Sequence, residues 1–311
     1  MIATINESIL EAMKIAARKA GKEVMESYGK VEVKRKEVSE HYTGFDKIKK
    51  SFVTEIDRES QKTILKELTQ FNNISVIAEE KNEEINKLIS QFSKDSEYKF
   101  VIDPLDGTSN YLLGNPKVKG FLAKEYLEYY KEEMPDNSDK FGVCISLTKN
   151  NLPFHTVVYY PFYNQLMHAV KGKGTFMDEK EFKISSKKNH NFEDSIRISQ
   201  YSRINKCKHL FTNRKSYQSS SFNLKAIIEG DIISYCLDSI DYSDFCPTLL
   251  AYSEAGGFFG DVQGNKIEIQ DIINSLDDNG RINKFMILCP TQEYCLSLLE
   301  NLRLKGLSIK F

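Results

Sequence analysis

The feature that most constrains this fold is a short apolar run, Phe100 to Ile102, that leads into Asp-Pro-Leu-Asp-Gly-Thr. Apolar β-type residues followed at once by proline and glycine are typical of a buried strand that stops at a turn. Asp103 and Asp106 lie three positions apart in that turn, and Gly107 and Thr108 follow where a helix can begin. The pattern predicts a strand, a turn and a helix that bring two carboxylates to one edge of a sheet.

The same residues are of types that bind a metal ion and a phosphate. The turn set by the proline lets Asp103, Asp106 and the Leu105 carbonyl converge, and three hard oxygen donors in so short a span suit Mg²⁺. Gly107 allows a ligand to approach the backbone, and N–H groups at the following helix start favour a phosphate. A purely structural turn, with Asp106 as the cap of that helix, fits the same residues. Both interpretations stay open here.

Further acidic residues stand at the ends of predicted elements. Asp57 lies at the start of a predicted helix, and Glu79 and Glu80 directly follow a predicted strand. Asp244 precedes a helix predicted over Pro247 to Ala255. Each could be an ordinary helix start or a solvated strand end. Clustered carboxylates repel one another, however, so a shared cation is the economical explanation if the fold brings them together.

The rest of the chain mixes strands and helices without strict β-α-β alternation, which favours a layered α+β architecture. The predicted strands include Ile267 to Ile269. A patch rich in Ser, Lys and Asn over 185–191 predicts a boundary between an N-terminal subdomain, 1–184, and a C-terminal subdomain, 185–311. The loop that carries Asp103 and Asp106 is called the metal loop below. After it, near 117–140, comes a polar segment with a predicted short amphipathic helix.

Composition narrows the functional classes. The 311 residues contain 43 Lys and Arg against 44 Asp and Glu, without the basic excess of a protein whose main ligand is nucleic acid. No apolar run approaches the ~20 residues that a membrane helix needs. The N-terminal stretch has early acidic residues and an amphipathic pattern, unlike a signal peptide. We therefore expect a cytoplasmic protein with neither a membrane nor a nucleic acid as its main partner.

The ordered motifs resemble the inositol monophosphatase family, within the wider lithium-sensitive, magnesium-dependent phosphatases. The pattern is most similar to the bacterial monophosphatase branch, which also contains an extragenic suppressor protein with a role in transcription. The similar segments, in family order, are AARKAGKEV (16–24), FVTEIDRESQKTILKEL (52–68), IAEE (77–80), VIDPLDGTSNY (101–111), VVYYPFYNQLMHAVKGKGTFM (157–177) and SDFCPTLLAYSEAGG (243–257).

The resemblance implies a layered α-β-α-β-α sandwich, a homodimer, and hydrolysis of a small phosphate ester with two to three Mg²⁺ ions. It assigns the first Mg²⁺ to Glu79, Asp103 and the Leu105 carbonyl. It assigns the second to Asp103, Asp106 and Asp244. Glu79 would also help to hold a weaker third ion.

The resemblance also implies catalytic and substrate-binding roles. Asp57 and Thr108 match the pair that orients and deprotonates the attacking water, with Glu79 beside them as a catalytic metal ligand. The backbone N–H groups of Gly107 and Thr108 would hold the phosphate. The substrate side of the site would be formed by Gly107, Thr108, Asp106 and Asp244.

Departures from the family pattern leave the substrate open. Ser243 replaces the usual Trp before the last metal aspartate, and Leu237 stands where monophosphatases carry an inositol-contacting Glu. One alternative is a 3'(2'),5'-bisphosphate nucleotidase, because SSSFNLKAIIEG at 219–230 resembles that branch. Another is a regulatory or interaction protein on a phosphatase scaffold, because residues 243–248 and the extra segment near 117–140 differ from the family.

Overall fold

The computed structural model describes residues 2–30, 34–35, 52–53, 55–130, 136–184, 196–198, 217–232, 234–237 and 240–304. Its α-helices are α1 (Ile2–Ser27), α2 (Glu55–Leu68), α3 (Glu83–Ile89), α4 (Thr108–Leu112), α5 (Pro116–Tyr130), α6 (Ser220–Glu229), α7 (Tyr242–Glu254), α8 (Ile269–Ile273) and α9 (Gln292–Leu304). Its strands are β1 (Lys34–Arg35), β2 (Phe52–Val53), β3 (Ser75–Ala78), β4 (Tyr98–Asp106), β5 (Gly142–Lys149), β6 (Leu152–Tyr160), β7 (Gln165–Val170), β8 (Gly174–Met177), β9 (Lys180–Glu181), β10 (Ile196–Ile198), β11 (Ser234–Leu237), β12 (Ile240–Asp241), β13 (Phe258–Gly260), β14 (Arg281–Ile282) and β15 (Met286–Cys289).

Two sheets organise the described part of the chain. The larger has seven strands in the order β3 to β9, with β3 and β4 parallel and the remaining neighbours antiparallel. The smaller has four strands in the order β10-β11-β15-β13. Sequential antiparallel strands joined by short connections explain the order of the large sheet from β4 onward.

Buried side chains define the layers between these sheets. One face of the large sheet packs against α1 and α2, through residues such as Met13, Ile64 and Val157. Its other face packs against α6 and α7, which also cover the small sheet. Helix α9 covers the outer face of the small sheet with Leu298 and Leu299. The result is a mixed α+β fold, as the sequence predicts, in the α-β-α-β-α sandwich that the family resemblance implies.

Two local predictions are wrong. The helix expected from Pro247 begins five residues earlier, at Tyr242, and the proline lies inside α7. Asp244 therefore occupies the first turn of the helix and does not precede it. The strand expected over Ile267 to Ile269 is absent from this described segment, where α8 begins at Ile269. Alternating apolar residues there belong to a helix start, because Ile269, Ile272 and Ile273 repeat at helical spacing.

The segment near 117–140 contains helix α5, as predicted, and α5 follows α4 after residues 113–115. Val118 and Leu122 bury its inner side, whereas Phe121 and Leu127 are exposed. The predicted boundary at 184/185 stays a prediction, because residues 185–195 lie outside the described residues. Among the helices described, none combines the length and the apolar character needed to cross a lipid bilayer.

Candidate metal centre and active site

Three carboxylates meet at the carboxyl end of β4. Strands β3 and β4 are parallel with Ala78 opposite Ile102, so the next residues, Glu79 and Asp103, lie at the same edge. The first turn of α7 brings Asp244 to that edge. One ligand oxygen from each of Glu79, Asp103 and Asp244 lies within 4.8 Å of the others.

This group fits a divalent cation that prefers oxygen ligands. Asp103 is only 2% exposed, Asp244 is half-buried and Glu79 is exposed, so the group opens to solvent on one side. Three negative charges at such spacing repel strongly in a partly desolvated site. A cation coordinated by carboxylate oxygens removes that repulsion, as in Mg²⁺ and Ca²⁺ sites. The chemistry and the geometry of the group are those of a candidate acidic metal-binding site.

The Asp57 and Thr108 side chains form a hydrogen-bonded pair. The Thr108 hydroxyl lies 2.9 Å from Asp57 Oδ1 and 3.1 Å from the Leu105 carbonyl oxygen, and either can accept its proton. Asp57 lies in the first turn of α2 and is 3% exposed. Burial raises the pKa of the nearby Tyr111, and the negative charge of Asp57 raises that pKa further.

Helix α2 is tied to both loops that carry the candidate ligands. The Ser60 hydroxyl donates to the Pro104 carbonyl oxygen at 2.7 Å. The Gln61 side chain donates to the Glu80 carbonyl at 2.7 Å and accepts from the Glu80 N–H at 2.9 Å. Neither Ser60 nor Gln61 was predicted from the sequence. Their signal is the spacing 57, 60 and 61, which places polar side chains on the same buried helix face as Ile64 and Leu65.

The turn predicted after Asp103 is an irregularity within β4. Asp103 pairs with Cys144 and Asp106 with Gly142, and the register shifts between them. Pro104 lies in this interval and has no N–H to donate to the ladder. Helix α4 follows, with Gly107 at its N-cap in the left-handed region at φ 86°.

Asp106 does not belong to the group formed by Glu79, Asp103 and Asp244. Its carboxylate instead accepts hydrogen bonds from the N-terminus of α6: the backbone N–H groups of Ser220 and Ser221, each at 2.9 Å, and the hydroxyls of Ser219 and Ser221. The alternative of Asp106 as the cap of the following helix is wrong, because Gly107 is the N-cap of α4 and Asp106 instead accepts from the first turn of α6. The assignment of Asp106 to a second metal ion stays a prediction.

Two glycines allow the α6 N-terminus to approach the metal loop. A Cβ on Gly107 would lie 2.8 Å from the Lys140 carbonyl oxygen and 3.1 Å from the Ser219 Cβ. A Cβ on Gly142 would lie 3.1 Å from the Ser221 hydroxyl. Because these distances are shorter than usual contacts, larger residues at either position would displace the loop or the helix.

A buried thiol lies behind the carboxylates. Cys144 is opposite Asp103 in the sheet and is 1% exposed. Burial raises its pKa well above the ordinary value, and the charges of Asp106, Asp103 and Asp244 raise it further. Cys144 therefore remains a neutral thiol at physiological pH.

Two other sequence candidates are placed by the structure. Glu80 is 6% exposed, and its Oε2 lies 3.8 Å from Arg58 Nε, so it faces a cation on α2 rather than the carboxylate group. Leu237, which stands where the family pattern has an inositol-contacting Glu, is fully buried in β11. It offers no polar contact to a substrate.

The sequence of this chain is similar to the sequences of one protein family. The sequence profile of the inositol monophosphatase family matches residues 5–293. A "Fructose-1,6-bisphosphatase/inositol-1-monophosphatase" of Aquifex aeolicus is 30% identical over 176 residues, which are 56% of this chain and 52% of that protein. A "Nus factor SuhB" of Xylella fastidiosa is 24% identical over 260 residues, 80% of each chain. The match to the Aquifex protein thus spans about half of that protein's length.

A solved structure shows the same fold. The extragenic suppressor protein SuhB of Bartonella henselae superposes with a TM-score of 0.68 at 22% identity, covering 96% of this chain and all of that one. The shared fold and the match to the sequence profile point to the same family. The chain belongs to the inositol monophosphatase family.

Proposed function

We propose that this protein is a Mg²⁺-dependent phosphomonoesterase that acts on a small phosphorylated substrate, most similar in its chemistry to inositol monophosphatases. The observation that carries the proposal is the joint placement of two features. The Glu79, Asp103 and Asp244 oxygens lie within 4.8 Å of one another. The hydrogen-bonded Asp57 and Thr108 pair is anchored to the same loop, through the Leu105 carbonyl oxygen.

The residues have distinct roles in this proposal. Glu79, Asp103 and Asp244 hold Mg²⁺, together with the Leu105 carbonyl and Asp106 when two or three ions are bound. Bound Mg²⁺ supplies Lewis acidity and neutralises charge that develops on the phosphoryl oxygens. Thr108 orients the attacking water, and Asp57 takes the proton of that water through the threonine hydroxyl.

The phosphate of the substrate would lie at the start of α4. The first N–H groups of a helix have no intrahelical acceptor, and here they belong to Gly107, Thr108 and their neighbours. The absence of a Cβ on Gly107 leaves its backbone approachable. Asp106 and Asp244 would line the substrate side. The buried Leu237 removes one family contact to inositol, so we propose the substrate class without assigning inositol monophosphate.

The test is phosphate release by the purified protein against inositol 1-phosphate, adenosine 3',5'-bisphosphate, fructose 1,6-bisphosphate and 2'-AMP, with and without Mg²⁺ and Li⁺. We expect turnover of at least one ester that requires Mg²⁺ and is inhibited by Li⁺. Selective turnover of adenosine 3',5'-bisphosphate would support the bisphosphate nucleotidase alternative. Turnover that persists in excess chelator would contradict the proposal.

A second candidate is a regulatory protein on a phosphatase scaffold. It is favoured by the similarity to the Xylella fastidiosa protein named "Nus factor SuhB". We expect that purified RNA polymerase would then co-elute with both the wild-type protein and the Asp103→Asn variant, because binding would not require the metal site. Robust turnover without co-elution would exclude this candidate.

We also propose a cytoplasmic homodimer in which α5 either covers the active site or contributes to the dimer contact. The position of α5, which follows the metal loop and the short helix α4, and its exposed Phe121 and Leu127 support this role. Deletion of 117–135 should change either the KM or the oligomeric state. A deletion variant with unchanged kinetics and unchanged mass by light scattering would refute the role of α5.

A further inference from the structure

Both carboxylate oxygens of Asp106 are engaged by α6. Oδ2 accepts from the Ser219 hydroxyl, the Ser221 hydroxyl and the Ser221 N–H, and Oδ1 accepts from the Ser220 N–H. A carboxylate oxygen has two lone pairs, so Oδ2 is saturated and Oδ1 retains one acceptor site. The positive end of the α6 dipole adds to the attraction.

The Asp103 carboxylate faces a different environment. Asp103 Oδ1 accepts from the Leu105 N–H at 3.1 Å, and an Asp103 oxygen belongs to the group with Glu79 and Asp244. Two carboxylates of one loop are thus directed to different partners: Asp103 to the carboxylate group and Asp106 to a helix N-terminus. A cation at the group would meet three carboxylates, whereas a second cation would compete with α6 for Asp106.

Ser219 has a second structural role in α6 that Ser221 does not have. Ser219 is the N-cap of α6, since its hydroxyl also accepts from the Phe222 N–H at 3.2 Å. Ser221 lies in the first turn, is fully buried and donates its hydroxyl to Asp106. Gly142 leaves the space in which that hydroxyl sits. The Ser221 hydroxyl can therefore be removed without loss of the helix cap.

We propose that Ser221 is a positioning residue that retains Asp106 on α6, so that a second Mg²⁺ can use the open site on Oδ1 but must compete with the Ser221 hydroxyl for Oδ2. This inference rests on the proposed metal site. Because Asp106 is retained on α6, the second ion binds more weakly than the ion at Glu79, Asp103 and Asp244. Loss of the hydroxyl leaves two donors instead of three on Oδ2, so α6 holds Asp106 less strongly and Asp106 becomes a stronger ligand, because hydrogen-bond donors and a metal ion compete for the same lone pairs.

The test compares Ser221→Ala with Ser220→Ala. Ser220 contacts Asp106 through its backbone N–H, which alanine retains, so Ser220→Ala is a matched control. Isothermal titration calorimetry measures Mg²⁺ binding without substrate, and phosphate release measures the Mg²⁺ midpoint and kcat. In Ser221→Ala we expect the Mg²⁺ concentration at half-saturation of the weaker site to fall about threefold to tenfold, because one competing hydrogen bond is lost. Ser220→Ala should match the wild type.

The outcomes separate this inference from the proposed function. Wild-type Mg²⁺ binding with an unchanged or higher midpoint in Ser221→Ala would overturn the role of Ser221 and leave the phosphatase intact. The shift seen by calorimetry without any phosphate release would support Ser221 and count against the phosphatase. A wild-type protein that binds no Mg²⁺ would contradict both. Circular dichroism on both variants verifies that α6 remains folded.

Discussion

Two regions of the large sheet bury titratable groups: the carboxyl end of β4, where these groups have hydrogen-bond partners, and the middle strands β6 and β7, where, within the described part of the chain, buried ring nitrogens lack them. At the carboxyl end of β4, Asp57, Asp103 and Asp106 are at most 6% exposed, and each accepts hydrogen bonds from neighbouring groups. On β6 and β7, His155 and His168 are at most 5% exposed. Neither ring nitrogen of His155, nor Nδ1 of His168, has a hydrogen-bond partner among the residues described.

The difference shows what keeps a buried group charged. Burial, together with the charges of Lys173 and His168, lowers the pKa of His155 to about 4. Burial also lowers the pKa of His168, assisted by Lys14 and opposed by Glu179 and Glu11. The imidazoles are therefore neutral, whereas the carboxylates receive hydrogen-bond donors and, in our proposal, Mg²⁺. Only the carboxyl end of β4 is prepared for ionic chemistry.

The largest expected effect is that of Asp103→Asn. It removes a negative ligand at the centre of the carboxylate group while keeping the size of the side chain. We expect kcat to fall by about a thousandfold or more, because the charge that holds the metal is lost. Phosphate release at saturating Mg²⁺ measures it. Turnover within tenfold of the wild type would show that the buried carboxylates are structural, as the histidines are.

Thr108→Ala should lower kcat by about a hundredfold, because it removes the hydroxyl between Asp57 and the attacking water. The Mg²⁺ midpoint should stay near the wild-type value. Thr108→Ser retains the hydroxyl and should recover most of the activity. Equal losses in the alanine and serine variants would contradict a role for the hydroxyl.

The middle strands provide the pH prediction. The folded-state pKa of His155, about 4, lies below the unfolded value near 6.5, so the unfolded chain binds a proton that the folded chain does not. Stability is present above pH 6.5 and is lost as the pH falls towards 4. Between pH 7 and pH 5 the free energy of unfolding should fall by about 2 kcal/mol from this group.

The matched variant for this prediction is His155→Leu, which removes the titrating ring. Urea denaturation at pH 7 and pH 5 gives the two slopes of stability against pH. The pH-dependent loss should be smaller in the variant by about that amount. An identical loss in both proteins would show that His155 is not protonated on unfolding in this range.

The smallest effect comes from the neighbouring pair Glu79 and Glu80. Glu79 belongs to the carboxylate group, whereas Glu80 faces Arg58. Glu79→Gln should raise the Mg²⁺ midpoint about tenfold, because the exposed edge of the group loses one charge. Glu80→Gln should raise it less than Glu79→Gln does. The reverse order would mean that Glu80 is the ligand.

The local sequence was sufficient to predict the strand that leads into Asp103 and the acidic residues at the ends of β3 and β4. Their positions follow from strand ends and turns, and parallel strands bring such ends to one edge. The layered α+β class also follows from the order of elements. The roles assigned to the site residues stay predictions until they are tested by substitution.

Long-range contacts were not predictable. Asp106 meets Ser219, which lies 113 positions further along the chain, and no local pattern relates them. The start of α7 was placed too late because proline is usually found in the first turn of a helix, whereas Pro247 lies inside this one. The uncompensated burial of His155 depends on packing between β6, β7 and their neighbours, which periodicity alone does not reveal.

The most direct test is a crystal structure of the protein soaked in Mn²⁺, with anomalous diffraction used to locate the ion. Mn²⁺ takes oxygen ligands as Mg²⁺ does and is visible in an anomalous map. We predict a peak coordinated by Glu79, Asp103 and Asp244, with a weaker second peak at Asp106. A map without a peak among these three carboxylates, at Mn²⁺ concentrations that saturate activity, would contradict the metal centre.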